Sequence, residues 1–226
     1  MTHSDRRTII LAFGLAALAG YVDALGYLTL KGFFVSFMSG NSTRLSVGLA
    51  ERSRLPVVTA GALIGLFVAG VIVGSIVSHV AGRPRRAVLA LVAFLLALAA
   101  LAASPWIQSL ASGWLAGDRL PIALMTLALG AENATIQRAG EVSIAVTYMT
   151  GTLVKMGQAF ARALLGGKRL EWLPYLLLWM ALVVGAVGGA ALFPFVRLEG
   201  LWIAAIWCAV LAAWAGDSKE LPTPAK

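Results

Sequence analysis

The polar stretch Met38–Arg44 interrupts an otherwise apolar region and contains residue types that can bind an anion. Gly40 bends freely, and short polar side chains such as Ser39 and Asn41 cap free backbone N–H groups, so a helix is predicted to start here. A helix start carries partial positive charge, and Arg44 adds a full charge about one turn further on. The stretch therefore predicts an anion-binding helix start.

An acidic residue, Asp23, lies within the apolar run that precedes this stretch. A carboxylate in a membrane helix is costly unless it is paired, hydrated or protonated, so it marks a functional site by default. Gly20, Asp23, Ala24 and Tyr27 share one helix face. Asp23 is a candidate ligand or proton site; the alternative is that it pairs with a base or caps backbone and only holds helices together.

Both features recur in the second half of the chain in the same order. Gly20–Ala24 and Gly130–Ala134 share the pattern G-x-x-[DN]-A. Met38–Arg44 and Met149–Lys155 then share Met, a hydroxyl residue, Gly and, four positions after the glycine, a base. The second copy supplies further candidate site residues, namely Glu132, Asn133, Gln137, Thr150, Gly151 and Lys155. Chance similarity of apolar sequences is a poor explanation for an ordered set of matches.

Six apolar segments approach the roughly 20 residues that a helix needs to cross a bilayer. They are Ile9–Leu30, Pro56–Val80, Ala87–Trp106, Leu120–Gln137, Pro174–Val196 and Leu198–Trp214. Two further segments, Phe33–Ala50 and Val142–Leu165, are long enough but have basic and small polar residues in the middle. We expect the later crossing helix of each half to pack closely through glycines four residues apart. These are Gly70 with Gly74 and Gly185 with Gly189.

The number of crossings depends on the two polar segments. When both return to their own side, six crossings result, and residues about 8–110 and 118–215 form two repeats, the second inverted. When both cross, eight helices and parallel repeats result. Six is favoured, because the short arginine-rich loop Arg83–Arg86 is then cytoplasmic. We predict an all-α membrane protein in one transmembrane domain, with two re-entrant segments, an inverted repeat and a disordered tail at 216–226.

The composition of the 226-residue chain supports this class. It is 60% hydrophobic and 12% charged, which is typical of a polytopic protein in a lipid bilayer. Its net charge of +8 does not indicate nucleic-acid binding, because the basic residues lie at the ends of apolar runs. Twelve of the eighteen basic residues lie on the side of the N-terminus in the six-crossing arrangement, so that side is predicted to be cytoplasmic.

Signatures of enzymes and cofactor sites are missing from the sequence. It contains no H-E-x-x-H, G-x-S-x-G or P-loop pattern, and Cys208 is its one cysteine. We therefore expect no catalytic residues, no metal and no cofactor.

The residues Gly20–Asn41 resemble those of a family of bacterial membrane proteins, the YoaK-like family or domain of unknown function 1275. Its members carry an Asp-Ala pair in the first helix and then an aromatic residue before a Met-Thr-Gly-Asn-like motif. The matching motif here is Phe37–Asn41, with Ser39 in place of the commoner Thr. Tyr148–Thr152 is similar to the family's second copy, and the resemblance covers residues 8–215. It implies a small inner-membrane protein of the kind often labelled a permease, without an established substrate.

These observations lead to two hypotheses of function. The first is a secondary transporter of a small, anionic solute, with Gly40 and Gly151 meeting at a central site and Asp23 or Glu132 binding a proton. The second is a non-transporting interaction or assembly protein, in which Arg44 and Lys155 pair with the two acidic residues and lock helices together. A channel is less favoured, and the sequence leaves a homo-oligomer open.

Overall fold

A computed structural model of the chain describes residues 3–112, 117–135 and 149–215, with side chains from residue 9 onward. These residues are mostly helical and contain no β-strand. The helices are α1 (His3–Thr29), α2 (Met38–Ala50), α3 (Arg54–Val80), α4 (Pro84–Ala103), α5 (Pro105–Leu110), α6 (Arg119–Glu132), α7 (Met149–Leu164), α8 (Leu173–Val196) and α9 (Leu201–Trp214). A 3-10 turn, Arg197–Gly200, joins α8 to α9. The all-α prediction is confirmed for this part of the chain.

Four stretches of the described residues are long and apolar enough, by length and composition, to cross a bilayer. They are Ile9–Thr29, Arg54–Val80, Pro84–Ala103 and Leu173–Trp214. The last of them has 42 residues and comprises α8, the 3-10 turn and α9. Five of the six predicted apolar segments fall on these stretches. The exception is Leu120–Gln137, because its helix, α6, ends at Glu132.

One predicted segment is broken in the structure. Ala87–Trp106 was expected to be a single helix, but α4 ends at Ala103 and α5 begins at Pro105. The break has a local cause, because proline lacks the N–H that would continue the helix and restricts the residue before it. The Ser104 hydroxyl then caps α5 by accepting a hydrogen bond from the backbone N–H of Ile107 at 3.4 Å.

Helix α1 lies at the centre of the hydrophobic core. Leu15, Leu18, Val22 and Leu25 are fully buried, because α1 packs against α8 and also contacts α6 and α9. Apolar side chains cover more than one face of α1, as expected for a helix enclosed by others. This packing fixes the position of Asp23.

Glycines bring α1 and α8 together at backbone distance. A Cβ atom at Gly185 would overlap the carbonyl oxygen of Ala17, and Gly189 lies against the carbonyl of Tyr21 in the same way. Contacts four residues later in α8 fall four residues later in α1, so the two helices run in the same direction. Such close contacts are how small residues hold helices together in lipid.

Helices α3 and α6 are joined by the same kind of contact. A Cβ atom at Gly70 would overlap the carbonyl oxygen of Leu127, and one at Gly74 would lie 2.7 Å from that of Ala131. These two helices also run in the same direction, because their contacts advance together.

Helices α4 and α9 run in opposite directions. Arg86 donates from Nε to the carbonyl of Ala215 at 3.0 Å and from Nη2 to that of Ala213 at 3.2 Å. Further along α4, the carbonyl of Leu89 accepts a hydrogen bond from Cys208 Sγ at 3.3 Å. Arg86 therefore neutralises the exposed carbonyls at the end of α9.

The chain reverses between α8 and α9 at Arg197, whose φ is +44°. An L-residue in this region ends a helix, because the backbone leaves the right-handed conformation. The turn is tied to α1 by Tyr21, whose hydroxyl donates to the carbonyl of Gly200 at 3.0 Å.

Candidate functional site

A non-helical loop, residues 30–37, links α1 to α2 and folds back onto Asp23. Asp23 Oδ1 accepts hydrogen bonds from the backbone N–H groups of Val35 at 2.8 Å and Ser36 at 2.9 Å. Val35 is fully buried and its side chain packs against Gly26. Non-helical backbone at membrane depth must find polar partners within the protein, and half-buried Asp23 supplies them here.

Asn41 binds the same loop from the other side. Its Oδ1 accepts a hydrogen bond from the N–H of Phe34 at 3.1 Å, and its Nδ2 donates to the carbonyl of Phe34 at 2.6 Å. The side chain of Asn41 is fully buried. Asn41 was expected to cap α2, and this is wrong: α2 begins at Met38 after Phe37, and Asn41 reaches back from the first turn. The amide of Asn41 forms hydrogen bonds with two backbone groups of the loop, whereas an N-cap side chain accepts a hydrogen bond from one backbone N–H.

Aromatic rings cover the outer side of this loop. The ring of Phe34 lies 5.0 Å from that of Tyr27 and 5.2 Å from that of Phe37. Gly40 lies against the rings of Phe37 and Phe34, so its nearest neighbours come from its own half of the chain. Tyr27 and the neighbouring Ser39 are exposed. Gly40 was predicted to meet Gly151 of the second half. The nearest neighbours of Gly40 are instead Phe34 and Phe37.

Arg44 lies on the surface of this half. Its guanidinium is 4.9 Å from the ring centre of Phe33 and lies against Gly32. A cation over an aromatic face is attracted to the ring, which holds the charge near the loop. The predicted ion pair between Arg44 and Asp23 is absent from the described residues, because Asp23 is occupied by loop backbone.

Glu132, at the end of α6, is enclosed by the core and only 1% exposed. Within the part of the chain that the structure describes, neither carboxylate oxygen of Glu132 has a hydrogen-bond partner. The hydroxyl of Thr135, three residues further on, is also buried and has no partner in the described ranges. Cys208 of α9 lies within electrostatic range of Glu132. The predicted ion pair of Glu132 with Lys155 is thus also missing among these residues.

The remaining described candidates of the second half are Asn133, directly after α6, and three residues of α7. Asn133 donates from Nδ2 to the carbonyl of Leu129 at 2.8 Å. Thr150 and Lys155 are exposed on α7, and Gly151 is half-buried there. Helix α7 packs on α8, as α2 packs on α3. Gln137 lies outside the described residues, as do the first residues of the segment predicted at 142–165 and the tail predicted to be disordered.

Comparison with known proteins now identifies the family. The profile of the family described as "Protein of unknown function (DUF1275)" matches residues 11–214. The chain belongs to this family. It is similar to the UPF0700 transmembrane protein RA0705 of Rhizobium meliloti (strain 1021), with 31% identity over 95% of this chain and 93% of that protein. It is also similar to the UPF0700 transmembrane protein YoaK of Bacillus subtilis (strain 168), with 27% identity over 69% of this chain and 68% of that protein. No solved structure matches it.

In this DUF1275 protein, the two halves use their acidic residues differently. Asp23 and Asn41 stabilise a loop, whereas Glu132 and Thr135 have three buried polar atoms without partners among the described residues. The sequence did not single out Thr135. The available signal was its position three residues after Glu132 within the predicted segment Leu120–Gln137, because that spacing puts two residues of a helix on one face.

Proposed function

We propose that this membrane protein is a secondary transporter of a small solute, with a central site between two inverted repeats. The observation that carries the proposal is the matched packing of α1 on α8 and of α3 on α6. Transporters commonly combine inverted repeats with interrupted helices and place the substrate near the bilayer midplane at the interface of the repeats.

The matched contacts are related by constant offsets in the sequence. Residues of α6 follow their counterparts in α1 by 110 positions, and residues of α8 follow those of α3 by 115. The matched contacts are Gly20 on Leu182 with Gly130 on Phe67, Gly185 on Ala17 with Gly70 on Leu127, and Gly189 on Tyr21 with Gly74 on Ala131. Exchange of the two halves therefore maps each contact onto its counterpart, which supports a two-fold relation.

Helix directions support six crossings, three in each half. Helix α1 is parallel to α8, α3 is parallel to α6, and α4 is antiparallel to α9. Short turns at 81–83 and Arg197–Gly200 reverse α3 into α4 and α8 into α9. All of these relations hold when α1, α4 and α8 cross in one direction and α3, α6 and α9 cross in the other.

Helix lengths support the same arrangement. The 42-residue stretch Leu173–Trp214 would be about 63 Å long as one helix, twice the thickness of a bilayer core, so it accounts for two crossings. Helices α2 and α7 have 13 and 16 residues, or about 20 and 24 Å, and are too short to cross alone. They fit the re-entrant segments of the proposed repeats.

The proposed orientation places the N-terminus in the cytoplasm of the bacterial inner membrane. Arg86 binds the end of α9, so the arginine-rich loop before α4 and the end of α9 lie on one side. Loops rich in arginine are retained in the cytoplasm. In the six-crossing arrangement α1 begins on that same side.

A small organic anion is the substrate class that we favour. Helix α2 starts beside the Asp23 loop, and Phe37 at its N-cap offers no side-chain cap. The N–H of Met38 donates to the Ser36 carbonyl at 3.1 Å, so the N–H groups of Ser39 and Gly40 are the ones that we expect to bind a ligand. Arg44 brings a full positive charge to the same helix. The repeats would supply a second helix start at α7, with Lys155 about one turn in.

Uptake into proteoliposomes tests the proposal. Purified protein would be assayed with a panel of small organic anions and matched neutral metabolites, with and without imposed ion gradients. We expect saturable uptake of at least one anion, at least tenfold weaker in Arg44→Ala and unchanged in Arg54→Ala, an exposed arginine that serves as the control. Equal uptake by empty liposomes for every solute would refute transport.

A non-transporting assembly protein is the second candidate, and the use of Asp23 and Asn41 to hold backbone favours it. The two functions differ in how the purified protein responds to solutes. A transporter is stabilised against unfolding by its substrate, since ligand binding to the folded state raises Tm. An assembly protein shows no such shift with any member of the panel, while Arg44→Ala lowers its Tm.

A further inference from the structure

We infer that Glu132 and Thr135 form a site for a monovalent cation, a proton or Na⁺, that couples transport to an ion gradient. This inference rests on the proposed function, because it assigns the driving ion of that transporter. It starts from three buried polar atoms that have no partner within residues 3–112, 117–135 and 149–215, namely Glu132 Oε1, Glu132 Oε2 and Thr135 Oγ1. A proton and Na⁺ are both positively charged, and both bind to oxygen atoms such as these.

Burial makes a bare carboxylate at this position expensive. Glu132 is 1% exposed and Thr135 is 3% exposed. A charged group in so enclosed a place persists only when a proton or another cation neutralises it. The cation is therefore the missing partner of Glu132. The Thr135 hydroxyl lies in the turn that follows α6, where the N–H of Thr135 donates to the Glu132 carbonyl at 2.9 Å, and it is a second buried oxygen without a partner among the described residues.

The end of α6 adds negative potential at the same point. Helix α6 stops at Glu132, so its last carbonyl groups and the negative end of its dipole lie beside the carboxylate. Interrupted helices in transporters bind coupling ions with such ends. Ala131, the residue before Glu132, packs against Gly74, six residues before the end of α3, which places the end of α6 inside that membrane span, roughly 9 Å from its end.

Other titratable groups around α6 do not neutralise Glu132. On α1, Asp23 is bound to its own loop and Tyr21 to Gly200, and on α9 the thiol of Cys208 donates to Leu89. His79 lies in the last turn of α3, and Arg83 and Arg85 lie at the start of α4. Arg86 of α4 donates to the carbonyls of Ala213 and Ala215 at the end of α9. The charge of the Glu132 carboxylate is therefore neutralised by a bound cation in this proposal.

Thermal unfolding of the full-length protein in detergent tests the site without requiring transport. Tm would be measured between pH 5 and pH 8 with NaCl or with N-methyl-D-glucamine chloride at equal ionic strength. A proton site predicts that Tm rises by about 3 °C per pH unit as the pH falls, in either salt. A Na⁺ site predicts a rise with NaCl at pH 8 that disappears in the organic salt.

Two variants and a control make the result specific. Glu132→Gln keeps the shape of the neutral side chain and is expected to fold with a Tm that no longer depends on the ion. Thr135→Val is expected to weaken apparent Na⁺ affinity at least tenfold for a Na⁺ site and to leave a proton site nearly unchanged. Glu171→Gln, an exposed carboxylate, should behave like the wild type.

The inference is overturned when the wild type responds to neither ion, or when Glu132→Gln keeps the full response. Its failure is distinct from failure of the proposed function. Saturable solute uptake without an effect of either ion refutes the coupling site and leaves a transporter, whereas an ion-dependent Tm without uptake of any solute keeps the site and refutes transport.

Discussion

At the scale of single residues, the acidic residues Asp23 and Glu132 have opposite surroundings. Asp23 accepts two backbone hydrogen bonds from the loop that follows its helix, while Glu132 accepts none within the described residues. A carboxylate with two N–H donors is stabilised as a structural group, and one without donors requires an ion. The path of loop 30–37, which approaches Asp23, produces this difference.

Removal of the Asp23 carboxylate is expected to destabilise the fold through that loop. Asp23→Ala leaves the N–H groups of Val35 and Ser36 without an acceptor, at a cost of about 2–4 kcal/mol, or roughly 5–10 °C in Tm. Asp23→Asn should lose less than half of this, since an amide oxygen still accepts. The measurement is thermal unfolding, with Asp118→Ala as an exposed control. Equal stability of Asp23→Ala and Asp118→Ala would show that the loop does not depend on Asp23.

At the scale of elements, glycine spacing alone does not reveal which helix faces touch. Gly61 with Gly65 and Gly70 with Gly74 have the same spacing in α3, yet a Cβ atom at either of the first two would meet nothing within 4 Å. Gly70 and Gly74 instead lie against α6 backbone. The pattern predicts a close approach, and the three-dimensional arrangement selects where it occurs.

This contrast allows a paired test with glycines of one helix. Gly185→Ala is expected to cost about 1–3 kcal/mol, because its Cβ would overlap the carbonyl of Ala17 and force α1 and α8 apart. Gly188→Ala in the same helix has free space and should be neutral or stabilising, since alanine favours helix. The free energy of unfolding of both variants, measured by steric trapping or denaturant titration in detergent, checks this. Similar losses in both would contradict the packing of α8 on α1.

The counterpart in the first half extends the comparison. Gly70→Ala should destabilise the protein about as much as Gly185→Ala, because each residue meets a carbonyl of the matched helix, while Gly65→Ala should be as mild as Gly188→Ala. Markedly unequal losses for Gly70→Ala and Gly185→Ala would argue against the two-fold relation of the halves.

Sequence reasoning predicted the helices better than the site. Bilayer thickness fixes the length of an apolar segment, so the bounds of α1, α3 and α8 follow closely from composition. The break at Pro105 was missed, although the sequence carried its signal, because proline ends a helix through local contacts. By contrast, the partners of Asp23 depend on a loop conformation that has no period, and the isolation of Glu132 depends on side chains from helices far away in sequence.

At the scale of the whole molecule, an inverted repeat predicts on which side of the membrane each loop lies. Ser53 follows α2 and Lys168 follows α7, and the offset of 115 residues makes them equivalent positions in the proposed repeat. In inverted repeats, equivalent loops lie on opposite sides of the bilayer; in parallel repeats they lie on the same side. The location of these two residues therefore separates the two architectures.

Labelling of single cysteines with a membrane-impermeant maleimide measures these locations. In a Cys208→Ala background, Ser53→Cys should react in intact cells, while Gly82→Cys and Lys168→Cys should react only after permeabilisation. Wild-type Cys208 is buried and should not react, which makes it the background control. Labelling of Gly82→Cys in intact cells would favour eight crossings, because that loop then lies outside. Labelling of Ser53→Cys and Lys168→Cys from the same side would make the repeats parallel, and the shared central site would lose its geometric basis.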